Sequence, residues 1–281
     1  MDWDVSDSIQ LKSITAFRDL EGEFARDGDH SPFVIAEYYD ELNQEQFTQE
    51  FQILGNSFEG KFNWIVGLYY FQEKGNNENI LNFTISRFRS GGSFDNTSYA
   101  AYAQGTYDIT PQLHLTLGGR YTDENKKFTP DQIILENKFA GSGDPLLDAP
   151  FMQAGQRILP FLEKEVSISE FTPMANLSYD FTDELMTYVS YSEGFKSGGF
   201  TQRVFPPIVA PFTAPAGTAD IDLIPTFDPE FVKVYEAGFK YASPDNRFRL
   251  NGAIFRTEYD DLQIQVFTSV APVTKNAASA T

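Results

Sequence analysis

The sequence predicts an all-β protein, an antiparallel up-and-down sheet of the kind that closes into a transmembrane β-barrel. Two observations carry that prediction. Strand-length segments alternate apolar with polar side chains, and short turns alternate along the chain with long connections. A third observation narrows the alternatives. No run approaches the eighteen or so consecutive apolar residues of a membrane-spanning helix, so any crossing has to be made with strands.

The short turns come first. WDVSDSI (3–9), YDITPQL (107–113) and YDFTDEL (179–185) share one pattern: aromatic, Asp, apolar residue, Ser or Thr, two turn-formers, apolar residue. Asp and Thr bond nearby backbone and Pro111 fixes φ, so each reads as a tight reversal between two strands. GNSFEG (55–60) and SPDNR (243–247) serve the same purpose. The other connections, 25–43, 74–96, 126–165 and 196–230, are long and rich in Gly, Pro, Asn and charge, which is uncommon in compact soluble domains. Short turns at one end and long loops at the other match periplasmic turns and extracellular loops.

Between these connections the expected strands are 9–24, 44–55, 61–73, 97–108, 112–126, 165–180, 184–196, 230–242 and 247–264. TKNAASAT (274–281) reads as the start of a tenth. Side chains alternate across a strand, so QFTQEFQILG sets Phe47, Phe51 and Ile53 against Gln46, Thr48, Glu50 and Gln52. KFNWIVGLYYF puts Phe62, Trp64, Val66, Leu68 and Tyr70 on one face. Leu113, Leu115 and Leu117 oppose His114, Thr116 and Arg120, so a charge is expected to be costly at Leu115 and mild at Thr116. Tyr235, Ala237, Phe239 and Tyr241 oppose Glu236, Gly238 and Lys240. The faces of 98–107 and 187–192 are mixed. Trp3, Tyr107, Tyr179 and Tyr241 gather near the turns, as in an interfacial girdle.

Composition excludes several classes. The 281 residues are 41% hydrophobic and 15% aromatic, which rules out disorder. There is no Cys, hence no disulfide framework and no thiolate metal site. With 21 basic and 40 acidic residues the net charge is −19, which argues against nucleic acid as a partner and against polybasic attachment to anionic lipid.

LTLGGRYTDENKKF (115–128), YVSYSEGFKSGGF (188–200), YEAGFKYA (235–242) and NGAIFRTEYDDLQIQ (251–265) resemble the β-barrel of TonB-dependent outer-membrane receptors. LKSITAFRD (11–19) and FNWIVGLYYFQE (62–73) fit as well, so the resemblance covers essentially the whole chain. It implies that residues 1–281 are part of a 22-stranded barrel filled in the family by an N-terminal plug. It also implies uptake of a scarce ligand such as a ferric siderophore, cobalamin or a sugar, driven by the TonB energy-transducing complex across the bacterial outer membrane, whose lipid the barrel contacts. The segment is expected to carry no signal peptide, TonB-contacting box, plug or terminal strand, and therefore to form an open sheet that does not transport alone. The segment GFKSGGF marks the emergence of a strand into an extracellular loop, where Gly198 and Gly199 let the chain turn away. A soluble all-β binding protein, and an outer-membrane structural barrel or adhesin, remain as alternatives.

Nothing in the sequence points to catalysis or to a cofactor. His30 and His114 lack metal-binding spacing, and EYDD (258–261) lacks the Gly and spacing of a calcium loop, so it reads as an acidic strand end. Glu50, Arg120, Glu236 and Lys240 are the candidates for lumen-facing contacts with a plug domain, the alternative being that they face water. FPPIVAPFTAPAG (205–217) reads as a ligand lid or as a Pro-rich excursion. No ligand-binding residue can be named from the sequence.

Overall fold

The computed structural model describes residues 1–145, 148, 152–202, 220–268, 271–277 and 279–280. Its strands are β1 (Asp2–Ser6), β2 (Ile9–Asp27), β3 (Ala36–Ser57), β4 (Phe62–Phe83), β5 (Ser86–Asp108), β6 (Leu113–Pro130), β7 (Ile133–Asn137), β8 (Lys164–Thr182), β9 (Leu185–Lys196), β10 (Gly199–Phe200), β11 (Thr226–Phe227), β12 (Glu230–Ala242), β13 (Arg249–Asp260), β14 (Gln263–Thr268) and β15 (Ala271–Asn276). An eleven-stranded antiparallel sheet runs in the order β1-β2-β3-β4-β5-β6-β8-β9-β12-β13, with β7 continuing along β5 beyond the end of β6. Strands adjacent in this order are joined by hairpins or loops, and the two ends of the sheet do not pair with each other. β10–β11 and β14–β15 form separate two-stranded antiparallel sheets.

All nine expected strands are present, and the five short turns fall where the Asp, Thr, Pro and Gly chemistry placed them. In the third, the Thr110 hydroxyl accepts from the amides of Gln112 and Leu113 at 3.2 and 3.0 Å. The Thr182 hydroxyl repeats this with Glu184 and Leu185 in the fourth. In the second, Phe58, Glu59 and Gly60 all have positive φ, which lets three consecutive residues reverse the chain.

Four expectations need correction. Residues 74–96 form strand almost throughout, because β4 and β5 pair without interruption from Phe62–Tyr107 to Asn82–Arg87. Residues 25–43 likewise lie mostly in β2 and β3. WDVSDSI is not turn alone: Asp2–Ser6 is an edge strand on β2 and only Asp7 and Ser8 reverse. The ninth strand ends at Asp260, and Gln263 and Ile264 pair in register with Asn276 and Lys275, so TKNAASAT does not open a tenth strand of the sheet. Beyond Asn276, Ala280 makes one isolated bridge to Tyr259.

The register sorts side chains into two faces. On one, Ile53, Val66, Ala103, Gly119 and Pro173 form a row across β3–β8, and Phe51, Leu68, Ala101, Tyr121 and Phe171 form the next. Aromatic belts bound these rows. Below, Phe62 lies 6.4 Å from Tyr107 and Tyr179 4.8 Å from Phe181; above, Tyr70 lies 5.1 Å from Tyr99. The eight steps from Phe62 to Tyr70, at about 3.3 Å each, span roughly 25 Å, which is the height of the apolar band of an outer-membrane barrel. Leu115 belongs to the row of Phe62 and Tyr107, so it lies in the lower belt and not in the middle of the band. Above Tyr70 this face turns polar with Gln72, Lys74 and Asn76.

Glycine and aromatic residues alternate across strands. An added Cβ at Gly55 would collide with the Trp64 ring, at Gly67 with Tyr102, at Gly238 with Tyr188 and at Gly252 with Phe239. In each pair the ring covers the bare backbone of its register partner, a device that keeps a twisted sheet closely packed.

Buried apolar side chains concentrate beyond the upper belt. Leu81 and Phe88, paired on β4 and β5, pack with Ile134, Ile158 and Leu159, and Tyr38, Phe83 and Ile85 flank them. The Ile158 amide donates to the Gln132 carbonyl at 3.0 Å and the Ile134 amide to the Gln156 carbonyl at 2.9 Å, which lays residues 156–158 against β7.

Candidate functional site

The second face of the sheet is polar, and the register brings the candidate residues onto it. Gln52, Gly67, Tyr102, Arg120 and Thr172 form one row, and Glu50, Tyr69, Ala100, Thr122 and Glu170 the row above. The Tyr102 hydroxyl donates to Glu50 Oε1 at 2.5 Å and Gln52 Nε2 donates to the same oxygen at 3.0 Å. Arg120 stands beside them, its guanidinium 5.3 Å from the Tyr69 ring centre and 5.8 Å from that of Tyr102. Its Nε donates to the Thr122 hydroxyl at 3.1 Å. The two rings hold the planar cation in a fixed orientation at little entropic cost.

Glu236 and Lys240 share this face but lie on β12, three strands from Arg120 and six from Glu50 in the sheet order. The Tyr188 hydroxyl of β9 donates to Glu236, and Lys240 Nζ lies 5.9 Å from the Tyr188 ring centre. The structure therefore divides the four candidates into two tyrosine-organised groups, Glu50 with Arg120 and Glu236 with Lys240. Each presents one carboxylate and one cation to the same side.

His114 and His30 lie at opposite ends of the strands. His114, next to the third turn, bridges Asp108 at 2.5 Å and Asp180 at 3.1 Å through its two ring nitrogens, tying β5, β6 and β8 together. Its nitrogens point in opposite directions and do not converge on one ion. His30 lies at the other end, in the β2–β3 connection, with φ 57. There Asp29 accepts from the amides of Ser31 and Ala36 at 3.1 and 2.9 Å. Bonding with Ser31 is the main influence that holds the Asp29 carboxyl below the ordinary aspartate range. In EYDD, Glu258 pairs with Arg256 at 2.8 Å and Asp261 has φ 55 as β13 ends.

The residues missed from sequence belong to a strap across the polar face. After β9 the chain folds inward over the sheet rather than away from it. Lys126 Nζ donates to Ser197 Oγ at 2.8 Å and to the Gly198 carbonyl at 3.1 Å, while Ser197 Oγ donates to Glu124 at 3.0 Å. Further along, the Gln202 carbonyl accepts from Ser90 Oγ at 3.1 Å and from Gln132 Nε2. Phe200 packs on buried Phe128 at 5.4 Å. Gly198 is required by close approach, since a Cβ there would lie 2.5 Å from the Phe227 carbonyl oxygen. The strap thus crosses from β9 over β8 to β6 and β5. The available signal was the phase of Glu124 and Lys126, which share the face of Arg120. Residues 205–217, the lid candidate, lie outside the described residues.

This geometry is that of a wall with one apolar and one polar face, and comparison with known proteins agrees. A family model described as "TonB dependent receptor-like, beta-barrel" matches residues 1–281. The ferric-pyoverdine 358 receptor of Pseudomonas putida is 26% identical over 249 residues, covering 89% of this chain and 21% of that protein. The crystal structure of the ferric yersiniabactin uptake receptor of Yersinia pestis superposes with a TM-score of 0.72 at 17% identity, over 99% of this chain and 36% of that one. The closed form of the ferric-catecholate import receptor of E. coli K12 gives 0.61 at 14% identity, over 94% of this chain and 40% of that one. The chain therefore spans about a fifth of the curated relative and well under half of either solved structure.

Proposed function

The chain belongs to the family of TonB-dependent receptor-like β-barrels, whose members are transport receptors of the outer membrane, and from that premise we propose that it is the barrel segment of a receptor that imports a ferric siderophore. The observation that carries the proposal is the inward strap on a polar, tyrosine- and charge-lined face. A lumen built to be filled and gated has those features, whereas a packed soluble sandwich would place an apolar core there. The similarity to a ferric-pyoverdine receptor supports the ligand class.

On this reading residues 1–281 form part of a barrel whose remaining strands and plug lie elsewhere in the protein. Glu50, Arg120, Glu236 and Lys240 face that plug, and the TonB complex supplies the energy. Iron-starved cells of the source bacterium should take up ⁵⁵Fe bound to a hydroxamate- or catecholate-bearing siderophore, and lose that uptake when the gene is deleted. Retention of uptake of every ferric siderophore tried would reject the proposal. Arg120→Glu should lower uptake at unchanged abundance in the outer membrane, because a plug carboxylate would then face a like charge; unchanged uptake would remove Arg120 from the plug contact.

A further inference from the structure

The ladder between β9 and β12 ends at the pair Lys196–Glu230, and beyond it the two chains part. Strands that splay leave main-chain amides and carbonyls in need of other partners. Here two side chains supply them. Gln263 Nε2 donates to the Ser197 and Asp228 carbonyls at 3.0 Å each and to that of Lys196 at 3.4 Å. Asn276 Oδ1 accepts from the Asp228 amide at 2.7 Å, and its Nδ2 donates to the Asp228 and Asp261 carbonyls at 2.8 Å each. Gln263 and Asn276 are register partners at the end of β14–β15, so one ladder presents both side by side, and the main-chain N–H of Gln263 is fixed to Glu230 Oε2 at 2.7 Å. A side-chain amide carries the donor and acceptor of a peptide group, so the junction continues the ladder with side chains.

We propose that Gln263 and Asn276 are positioning residues that make β14–β15, β11 and the root of the strap one body, so that displacing β14–β15 lifts the strap from the polar face; the inference rests on the reading that this face lines the lumen. Ser197 is held from both sides. Its hydroxyl is bonded by Lys126 and Glu124 on β6, and its carbonyl by Gln263. The Asp228 carbonyl accepts from both side-chain amides, and Asp228 directly follows β11, whose Thr226 and Phe227 pair with Phe200 and Gly199 of the strap. A shift of β14–β15 therefore reaches the strap at two points, directly at Ser197 and through β11. The seat on the wall, by contrast, is made by Lys126, Ser90, Gln132 and Phe128, none of which touches β14–β15 through a hydrogen bond among the described residues.

The test uses one reporter cysteine, since the 281 residues contain none. Thr201, within the strap, is 5% exposed, so T201C in the full-length receptor, in a background with no other accessible cysteine, should react slowly with a maleimide in mild detergent. Q263M keeps the length of the side chain and removes its amide. It should speed labelling by about tenfold, the order expected of one or two lost hydrogen bonds. N276D keeps the acceptor for the Asp228 amide but loses the donors, and should speed labelling by about threefold. Hydrogen exchange of residues 197–202 in Q263M without T201C should accelerate likewise, which separates the effect from any caused by the cysteine. Coupling is reciprocal, so K126M should in turn speed exchange in 263–266 and 273–276. Labelling and strap exchange unchanged in Q263M and N276D, or exchange in β14–β15 unmoved by K126M, would overturn the inference. Equal acceleration throughout β12 would overturn it too, since the loss would then be general loosening. Labelling is read whether or not iron is imported, so a failure of uptake would overturn the receptor reading alone.

Discussion

At the lower end of the sheet the chain reverses within a few residues and buries little, its reversals held by local bonds such as those of Thr110 and Thr182. At the upper end β4 and β5 run on beyond the belt to Phe83 and Ser86, and Leu81, Phe88, Ile134, Ile158 and Leu159 are sealed from solvent. The same pair of strands is thus supported in two ways. Between the belts the apolar face is left bare for lipid, whereas the extension has no lipid beside it and builds a small core of its own from residues distant in sequence.

That contrast can be broken most directly at Phe88, which is 3% exposed. Phe88→Ala should cost about 3–5 kcal/mol, as large-to-small changes of a buried aromatic do. The loss should appear as faster hydrogen exchange in residues 78–83 and not in 62–70; equal acceleration in both would mean that the two halves of β4 are one unit. The lower half is probed by charge. Ile53→Arg, in the middle of the apolar band, should cost about 2–4 kcal/mol of membrane insertion, and Leu115→Arg, in the belt, no more than about 1. Gln52→Arg on the polar face should be mild. Equal tolerance at Ile53 and Gln52 in an insertion assay would invalidate the face assignment.

Lys126→Met removes two hydrogen bonds to the strap, those to Ser197 and Gly198, and should cost about 1–2 kcal/mol. It should expose residues 197–202 to protease without altering the turns, and an unchanged cleavage pattern would show that Phe200 on Phe128 suffices. The smallest effect belongs to the fifth turn, where the Ser243 hydroxyl at 2.6 Å, followed by the Arg247 amide at 3.2 Å, holds the Asp245 carboxyl below the ordinary aspartate range. Its folded pKa is depressed, so its contribution is present above the unfolded value, near 3.8, and is lost as pH falls through the folded one. Asp245→Asn should therefore lower thermal stability at neutral pH and converge with the unaltered protein in acid. A difference that persists undiminished in acid would show that the carboxylate is not what holds the turn.

The lower end was the more legible for a physical reason: its determinants are local. YDITPQL and YDFTDEL contain their own turn chemistry, and period-two alternation sorts Ile53 from Gln52 without further information. The upper end misled because Gly75, Asn76, Asn77 and Gly91, Gly92 read as loop. Gly91 and Gly92 pair here with positive φ because, lacking a Cβ, they leave its space to the neighbouring carbonyls of Asn77 and Thr129. What makes this stretch strand is burial of Leu81 and Phe88 against Ile134, Ile158 and Leu159, which no local pattern contains. The strap was hidden likewise, since Lys126 and Ser197 are 71 positions apart. Alternation alone puts Glu50, Arg120, Glu236 and Lys240 on polar strand faces, but that these are one face, and that the four divide into two tyrosine-centred groups, depends on register.

The pairing of Gly55 with Trp64, Gly67 with Tyr102, Gly238 with Tyr188 and Gly252 with Phe239 sets the terms on which the barrel can diverge. Neither partner can drift freely. Enlarging the glycine drives the ring off the wall, and shrinking the ring bares a strip of backbone, so each single step passes through a worse state before the second can compensate. Descendant sequences should therefore exchange the two positions jointly, or keep both, while the outward aliphatic positions between them wander among Leu, Ile and Val. In a set of diverged relatives these four register pairs should stand out as correlated columns, and an engineered Gly67→Ala with Tyr102→Leu should recover more folded barrel than either change alone.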